Sequence, residues 1–235
     1  GLAHIGILEA VGPDAVHFLQ SQTTNDVAAL DIGDGQLSAR VTRTGHLRFV
    51  FSLHRLPDHD GSPRFWLLIE HDAVSDLYAA LDQFLFADDV TLIDRSDTVD
   101  WLTVQGDNAS ECCEGLFGPI QFEPWSTLPE YAFRVLSRRR GSSLEHPVYA
   151  IRRTLTGDTG FLIGVPTDPS SHPLIRDLDQ AFENANFALL DEPIRIPILE
   201  TLRIEAGIIR AGHDAPQKKR LLPETGIEGQ VVSYT

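Results

Sequence analysis

The sequence predicts an α+β protein with mixed or antiparallel sheets, and three observations carry that expectation. Leu47, Phe49, Phe51 and Leu53 alternate with less apolar residues, the period of a half-buried strand. Val74, Leu77, Leu81, Phe84 and Leu85 recur at helical spacing, as a stripe facing a core does. Strand and helix patterns then follow one another irregularly along the chain, which argues against a regular parallel array. The chain has 235 residues, 42% of them hydrophobic, enough for one large domain or two small ones. No internal repeat and no long low-complexity segment interrupts it.

The elements follow in order. His4–Val11 reads as a strand. Gly12-Pro13-Asp14 opens a helix, with proline suited to the first turn and aspartate to its positive end; Ala15, Phe18, Leu19 and Gln22 share one face. Gln36–Thr44 and Leu47–Leu53 pair around Gly45. The stretch from Pro57 to Pro63 is a loop by composition, and Phe65–Ile69 is an apolar strand. Asp72 caps the helix that carries the Val74 stripe. Val90–Ile93 and Val99–Val104 are strands, and Asp107 starts a short helix. Pro119–Pro129 reads as a connection between lobes. Tyr131–Leu136, Val148–Thr154 and Phe161–Val165 are further strands, and Pro173–Leu189 is a helix. The last helix, Ile198–Ala206, ends at Gly207 in the left-handed conformation. Val231–Thr235 reads as a short strand.

The formal net charge is −15. Phosphate backbones are bound by neutralising them with lysine and arginine, so broad nucleic-acid binding is excluded. No apolar run approaches the roughly 20 residues that span a bilayer. The start, Gly1-Leu2-Ala3-His4, lacks the basic region and apolar core of a secretion signal. Cys112 and Cys113 are the only cysteines, and adjacent cysteines do not close an unstrained disulfide. A reducing cytoplasm is therefore the expected location, and both thiols read as partly buried and inert. The nine histidines show no metal-ligand spacing with a third ligand. Asp88-Asp89 reads as a turn.

Three blocks carry a resemblance. They are Gly12-Pro13-Asp14-Ala15-Val16-His17-Phe18-Leu19-Gln20 with Thr24-Asn25-Asp26-Val27, then Arg153–Phe161, then Leu202–Ile208 with Leu222-Pro223-Glu224-Thr225-Gly226 and Val231–Thr235. In this order they resemble the folate-binding superfamily of the glycine cleavage T-protein, and within it the YgfZ family. The resemblance implies interleaved mixed-sheet subdomains around a central channel, bound tetrahydrofolate or a derivative, and a C-terminal barrel outside this sequence. It also implies that the YgfZ signature Lys-Gly-Cys-Tyr-x-Gly-Gln-Glu would follow Thr235, so neither Cys112 nor Cys113 matches that family's reactive cysteine.

Thr156-Gly157-Asp158-Thr159-Gly160 lacks the spacing and Lys-Ser/Thr of a phosphate loop and reads as a hairpin turn; the resemblance puts it beside the folate. Glu205 lies in an apolar helix, where an unpaired carboxylate is unfavourable, so it reads either as a structural ion pair or as a ligand contact. Asn25 reads either as a turn residue or as a pterin contact. Arg138-Arg139-Arg140 and Lys218-Lys219-Arg220 read either as solvated loops or as attraction for a polyanion.

The resemblance also bends. The T-protein pattern has an aspartate where Arg48 stands, a glutamate where Leu162 stands and an arginine where Leu199 stands. A cation at position 48 cannot act as that acid/base or stabilise a developing iminium. The candidate pocket residues are Gln22, Asn25, Arg48, Arg203, Glu205 and Tyr234, with no catalytic residue among them. The expected role is folate binding in support of iron–sulfur cluster assembly or repair, with iron–sulfur client or assembly proteins as partners and indirect effects on tRNA modification. Two alternatives remain open: a folate-dependent aminomethyltransferase or demethylase, and a non-catalytic scaffold that binds a protein partner.

Overall fold

The computed structural model describes residues 5–120, 123–140, 143–167, 192–210, 214 and 220–234. The chain forms two compact units that interleave in sequence. One comprises Ala3–Ser96, Tyr131–Phe133 and Ile209–Thr235; the other, the inserted unit, comprises Asp97–Glu130 and Arg134–Ile208.

The first unit is built on a five-stranded sheet. Its strands are β1 (Ile5–Val11), β2 (Gly35–Val41), β3 (Leu47–His59), β4 (Ser62–Glu70) and β5 (Thr91–Asp94), in the order β2-β3-β4-β1-β5. All of these pairings are antiparallel. On one face lie α1 (Ala15–Gln22) and α2 (Val74–Asp82). Phe18, Leu19, Leu77 and Leu81 there join Phe49, Phe51, Leu53, Phe65 and Leu67 in one core. The helical stripe ends earlier than the sequence suggests: Phe84, beyond the end of α2, is exposed. Asp72 makes no side-chain cap to α2 and belongs to a 3₁₀ turn, His71–Ala73, ahead of it.

The stretch from Pro57 to Pro63 is not a loop. β3 runs to His59 and β4 starts at Ser62. Asp60 and Gly61, with φ of 49° and 76°, supply the two left-handed residues that suit a tight hairpin. Composition suggested a loop because Asp-Gly and proline are turn residues, but here they occupy a two-residue turn flanked by strand.

The opposite face of the β2–β3 hairpin is covered by the C-terminal segment. Leu222, Ile227 and Val231 pack on Ala39 and Leu47, and the N–H of Leu47 donates to the carbonyl of Arg220 at 2.9 Å. Val231–Thr235, expected as a strand, begins instead in the short helix α5 (Glu228–Val231), which Val232 leaves in an extended conformation. Its place on the hairpin is fixed by Thr24, whose hydroxyl bonds the Val231 carbonyl.

In the inserted unit, β6 (Val99–Gln105), β7 (Phe133–Arg140), β8 (Ser143–Arg152) and β9 (Gly160–Pro166) form a sheet of order β6-β9-β8-β7. β9 runs antiparallel to both β6 and β8. Helix α3 (Ala109–Phe117) packs beside it with Cys112 and Cys113 buried. The run Pro119–Pro129 is not a linker. Trp125 within it is fully buried, meets Phe161 edge-on at 5.1 Å and donates to the Gly118 carbonyl at 2.8 Å. Helix α4 (Glu192–Glu205) starts earlier than Ile198 because Pro193 fits its first turn, and Pro197 is carried inside it. The expected helix Pro173–Leu189 lies outside the described residues. Gly207, with φ of 68°, follows α4 as expected.

A short return to the first unit explains the interleaving. Phe133 donates its N–H to Gly33 at 2.8 Å and meets Trp66 edge-on at 5.6 Å. The fully buried His54 ring bonds the Tyr131 carbonyl through Nδ1 and the Ser52 hydroxyl through Nε2, each at 2.9 Å.

Candidate functional site

The β2–β3 hairpin brings two arginines together. Arg40 pairs with Phe49, but the next pair is Val41 with Leu47, so Arg48 is an extra residue in β3. This is a β-bulge, a device that re-aims side chains. In a strictly alternating strand, neighbouring Arg48 and Phe49 would face opposite sides. The bulge leaves both opposite Arg40. The Arg48 guanidinium lies 5.1 Å from the Phe49 ring centre, and that of Arg40 lies 5.0 Å from the ring of Phe84.

Arg40 is only 6% exposed. Its Nη1 donates to Gln22 Oε1 at 2.7 Å and to the Gln22 carbonyl at 3.3 Å. Both partners are neutral. Burial first, and the positive charge of Arg48 after it, lower the Arg40 pKa from its ordinary value. An arginine nevertheless stays charged throughout the physiological range. Arg48 is half-buried, and its buried Nε has no hydrogen-bond partner among the described residues. Gln22 and Arg48, both expected in the pocket, are thus joined through Arg40, a residue the sequence reading passed over. Its signal was present: an arginine in a strand otherwise reading Leu-Ser-Ala-Arg-Val.

The other candidates have local structural work. Asn25 donates to the carbonyls of Leu37 at 2.9 Å and Gln230 at 3.3 Å, and its Oδ1 accepts the N–H of Asp26. These bonds fit the turn reading and tie the C-terminal segment to β2. Tyr234 is 76% exposed and bonds Glu228. Arg203 and Glu205 belong to the inserted unit. Arg203 holds Glu200 at 3.1 Å through Nε, and its Nη1 bonds the Ile208 carbonyl at 2.6 Å just past the end of α4. Glu205 is exposed, so the penalty for an unpaired carboxylate in an apolar setting does not arise; it makes no ion pair among the described residues.

The glycine-rich turn is held by groups that spacing did not reveal. Thr154 Oγ1 accepts the N–H of Gly157 at 2.8 Å, and Gln105 Oε1 accepts that of Leu155 at 2.8 Å. Gly157 has φ of 93°, and a Cβ there would lie 2.8 Å from the Ala206 methyl. Both facts require glycine, and together they dock the turn on the end of α4. Leu162 is fully buried in the middle of β9.

No group of three or more histidine, cysteine or acidic residues among the described residues forms a metal site. Burial pushes the Cys112 pKa up to about 11 and raises that of Cys113 further, so both thiols stay protonated at neutral pH.

Residues 2–231 match the model of the GCVT N-terminal domain. The chain belongs to the GCVT N-terminal domain family. Relatives agree with the assignment. An aminomethyltransferase from Chlorobium phaeobacteroides is 26% identical over 218 residues, covering 92% of this chain and 55% of its own length. One from Corynebacterium jeikeium is 24% identical over 224 residues, with the same coverage. Among solved structures, the glycine cleavage system aminomethyltransferase T from Bartonella henselae matches with a TM-score of 0.70 at 20% identity, over 92% of this chain and 52% of that one. At that identity the likeness concerns the fold. The GCVT domain described here spans about half the length of the relatives it matches. No helix among its described residues is long and apolar enough to cross a membrane.

Proposed function

We propose that this GCVT domain binds tetrahydrofolate or a derivative without transferring an aminomethyl group. We place it in a YgfZ-like cytoplasmic protein that supports iron–sulfur cluster assembly or repair in client proteins and so affects tRNA modification indirectly. The family match supports the folate reading. The observation that carries the non-transferase reading is Arg48, set beside Arg40 by the bulge where the T-protein resemblance puts an aspartate. Aminomethyl transfer develops positive charge on an iminium. A unit charge about 4 Å away contributes about 4 kcal/mol at an effective dielectric of about 20. With the wrong sign that slows the step about a thousandfold.

The second reading, an aminomethyltransferase, is favoured by the named relatives. Titrating the complete native protein with tetrahydrofolate, and assaying transfer from an aminomethyl donor in parallel, separates the two. Saturable binding without turnover is expected. Turnover at an ordinary enzymatic rate would establish the transferase. Failure to bind any folate, with a stable protein partner in pull-downs, would leave a scaffold. A loss of iron–sulfur enzyme activity in cells lacking the protein is expected, and normal activity would remove that part of the proposal. Substituting Arg203 or Glu205 by alanine and finding unchanged folate affinity would take them out of the pocket.

A further inference from the structure

The first unit treats its arginines in two ways. Arg55, Arg64, Arg95 and Arg210 each face a carboxylate, those of Asp58, Glu9, Glu9 and Glu70 respectively, at 2.7–3.2 Å. Arg43 and Arg220 are exposed to water. Arg40 and Arg48 alone are at least half-buried and yet have no carboxylate partner among the described residues. The chain has 34 acidic residues against 19 basic ones, so counter-charges are not scarce. Two guanidiniums that repel one another, one of them almost sealed from solvent, form an unfavourable arrangement unless a further anion completes it.

We infer that Arg40 and Arg48 form a binding site for an oxyanion, a carboxylate or phosphate group of a small-molecule ligand. Arg40 is preorganised for it. Its Nη1 is taken by Gln22 and its ring contact with Phe84 fixes the guanidinium plane. Nε and Nη2 make no hydrogen bond among the described residues, and that edge is the pair of parallel donors that matches two oxygens. Arg48 adds a second positive charge close enough to act on Arg40. Half-buried arginines elsewhere with unbonded nitrogens, such as Arg55 and Arg152, already have Asp58 and Glu130 to neutralise them. The inference goes beyond folate binding and does not need it: it concerns the charge of whatever group reaches the hairpin.

The test uses the complete native protein at fixed ionic strength. Melting is followed against inorganic phosphate in one arm and against the carboxylate p-aminobenzoylglutamate in the other. At least one arm is expected to raise the melting temperature saturably, and the responding arm identifies the source of the oxyanion. Arg48→Gln is expected to weaken that response at least tenfold while itself melting no lower than the parent, because one repulsion is gone. Arg43→Gln, an exposed arginine of the same hairpin, retains the parental response. No response in either arm, or an equal response in Arg48→Gln, overturns the inference. Folate binding is scored separately. Tetrahydrofolate bound without an Arg48-dependent anion response sinks this site alone. An Arg48-dependent response without folate binding sinks the functional proposal alone.

Discussion

Glu9 and Arg40 lie on the same five-stranded sheet and are almost equally hidden from water, at 3% and 6% exposure, yet their charges are handled in opposite ways. Glu9 Oε2 accepts from Arg64 Nε and Trp66 Nε1, both at 2.8 Å, and Oε1 accepts from Arg95 at 3.1 Å. Arg40 has neutral oxygens, an aromatic face and a second cation. A buried charge whose partners are all present can be explained by stability alone. One with no opposite charge among the described residues points to a further anion.

The largest expected effect is on the satisfied cluster. Glu9→Ala strands two arginines and an indole N–H; because both arginines reach solvent, the expected loss is about 3 kcal/mol, the low end for breaking a buried ion pair. Urea unfolding measures it. A loss below about 1 kcal/mol would mean that water replaces the carboxylate and that the contrast with Arg40 is false.

Acid probes the same cluster more gently. Burial acts to raise the Glu9 pKa, but the Trp66 hydrogen bond and the charges of Arg64 and Arg95 outweigh it, and the net shift is downward from 4.5. A carboxylate depressed by folding stabilises the protein above its unfolded pKa, and that contribution disappears as pH falls through the lower folded value. Melting temperature is therefore expected to fall below about pH 5, with Glu9→Gln showing a shallower decline over that window. Identical slopes would assign the acid sensitivity to other carboxylates.

Much of this was legible in the sequence. The start of β3 and the core face of α1 follow from apolar periodicity, whereas β4 follows from its continuous apolar run, and both β1 and β4 are buried on their two faces rather than on one. The relationship to the T-protein follows from the three blocks. What escaped depends on relations that no local window contains. The bulge at Arg48 is a property of two strands in register, and its consequence, Arg48 beside Arg40, cannot be read from either strand alone. The role of Gln105 under the glycine-rich turn depends on β6 pairing with β9. Trp125 sits in a proline-bounded run that resembles a linker until its ring is seen in the core. Val231 lies in a stretch that reads as a strand, whereas the structure places it in a helical turn packed on Ala39 and Leu47.

Gln22→Ala tests the neutral anchor. Hydrogen bonds to charged groups contribute about 1.5–3 kcal/mol, so the low end of that range is the expected loss in urea unfolding. Anion affinity should fall with it, because the Arg40 fork loses its fixed plane. Unchanged affinity would mean that Phe84 alone orients the guanidinium.

The smallest effect carries the sharpest sign. Arg48→Glu gives Arg40 the opposite charge that every comparably buried arginine of this unit already has. Repulsion becomes attraction, and the hairpin comes to resemble the Glu9 cluster. Because position 48 is only half-buried, the gain is expected to be about 1 kcal/mol, read as a higher urea midpoint with an unchanged slope. The same substitution should abolish any stabilisation by phosphate or p-aminobenzoylglutamate, since the new carboxylate occupies the Arg40 fork. Stability and anion response would then move in opposite directions in one variant. A merely structural arginine pair predicts instead that stability falls, because the Arg48 contact with Phe49 is lost and nothing replaces it.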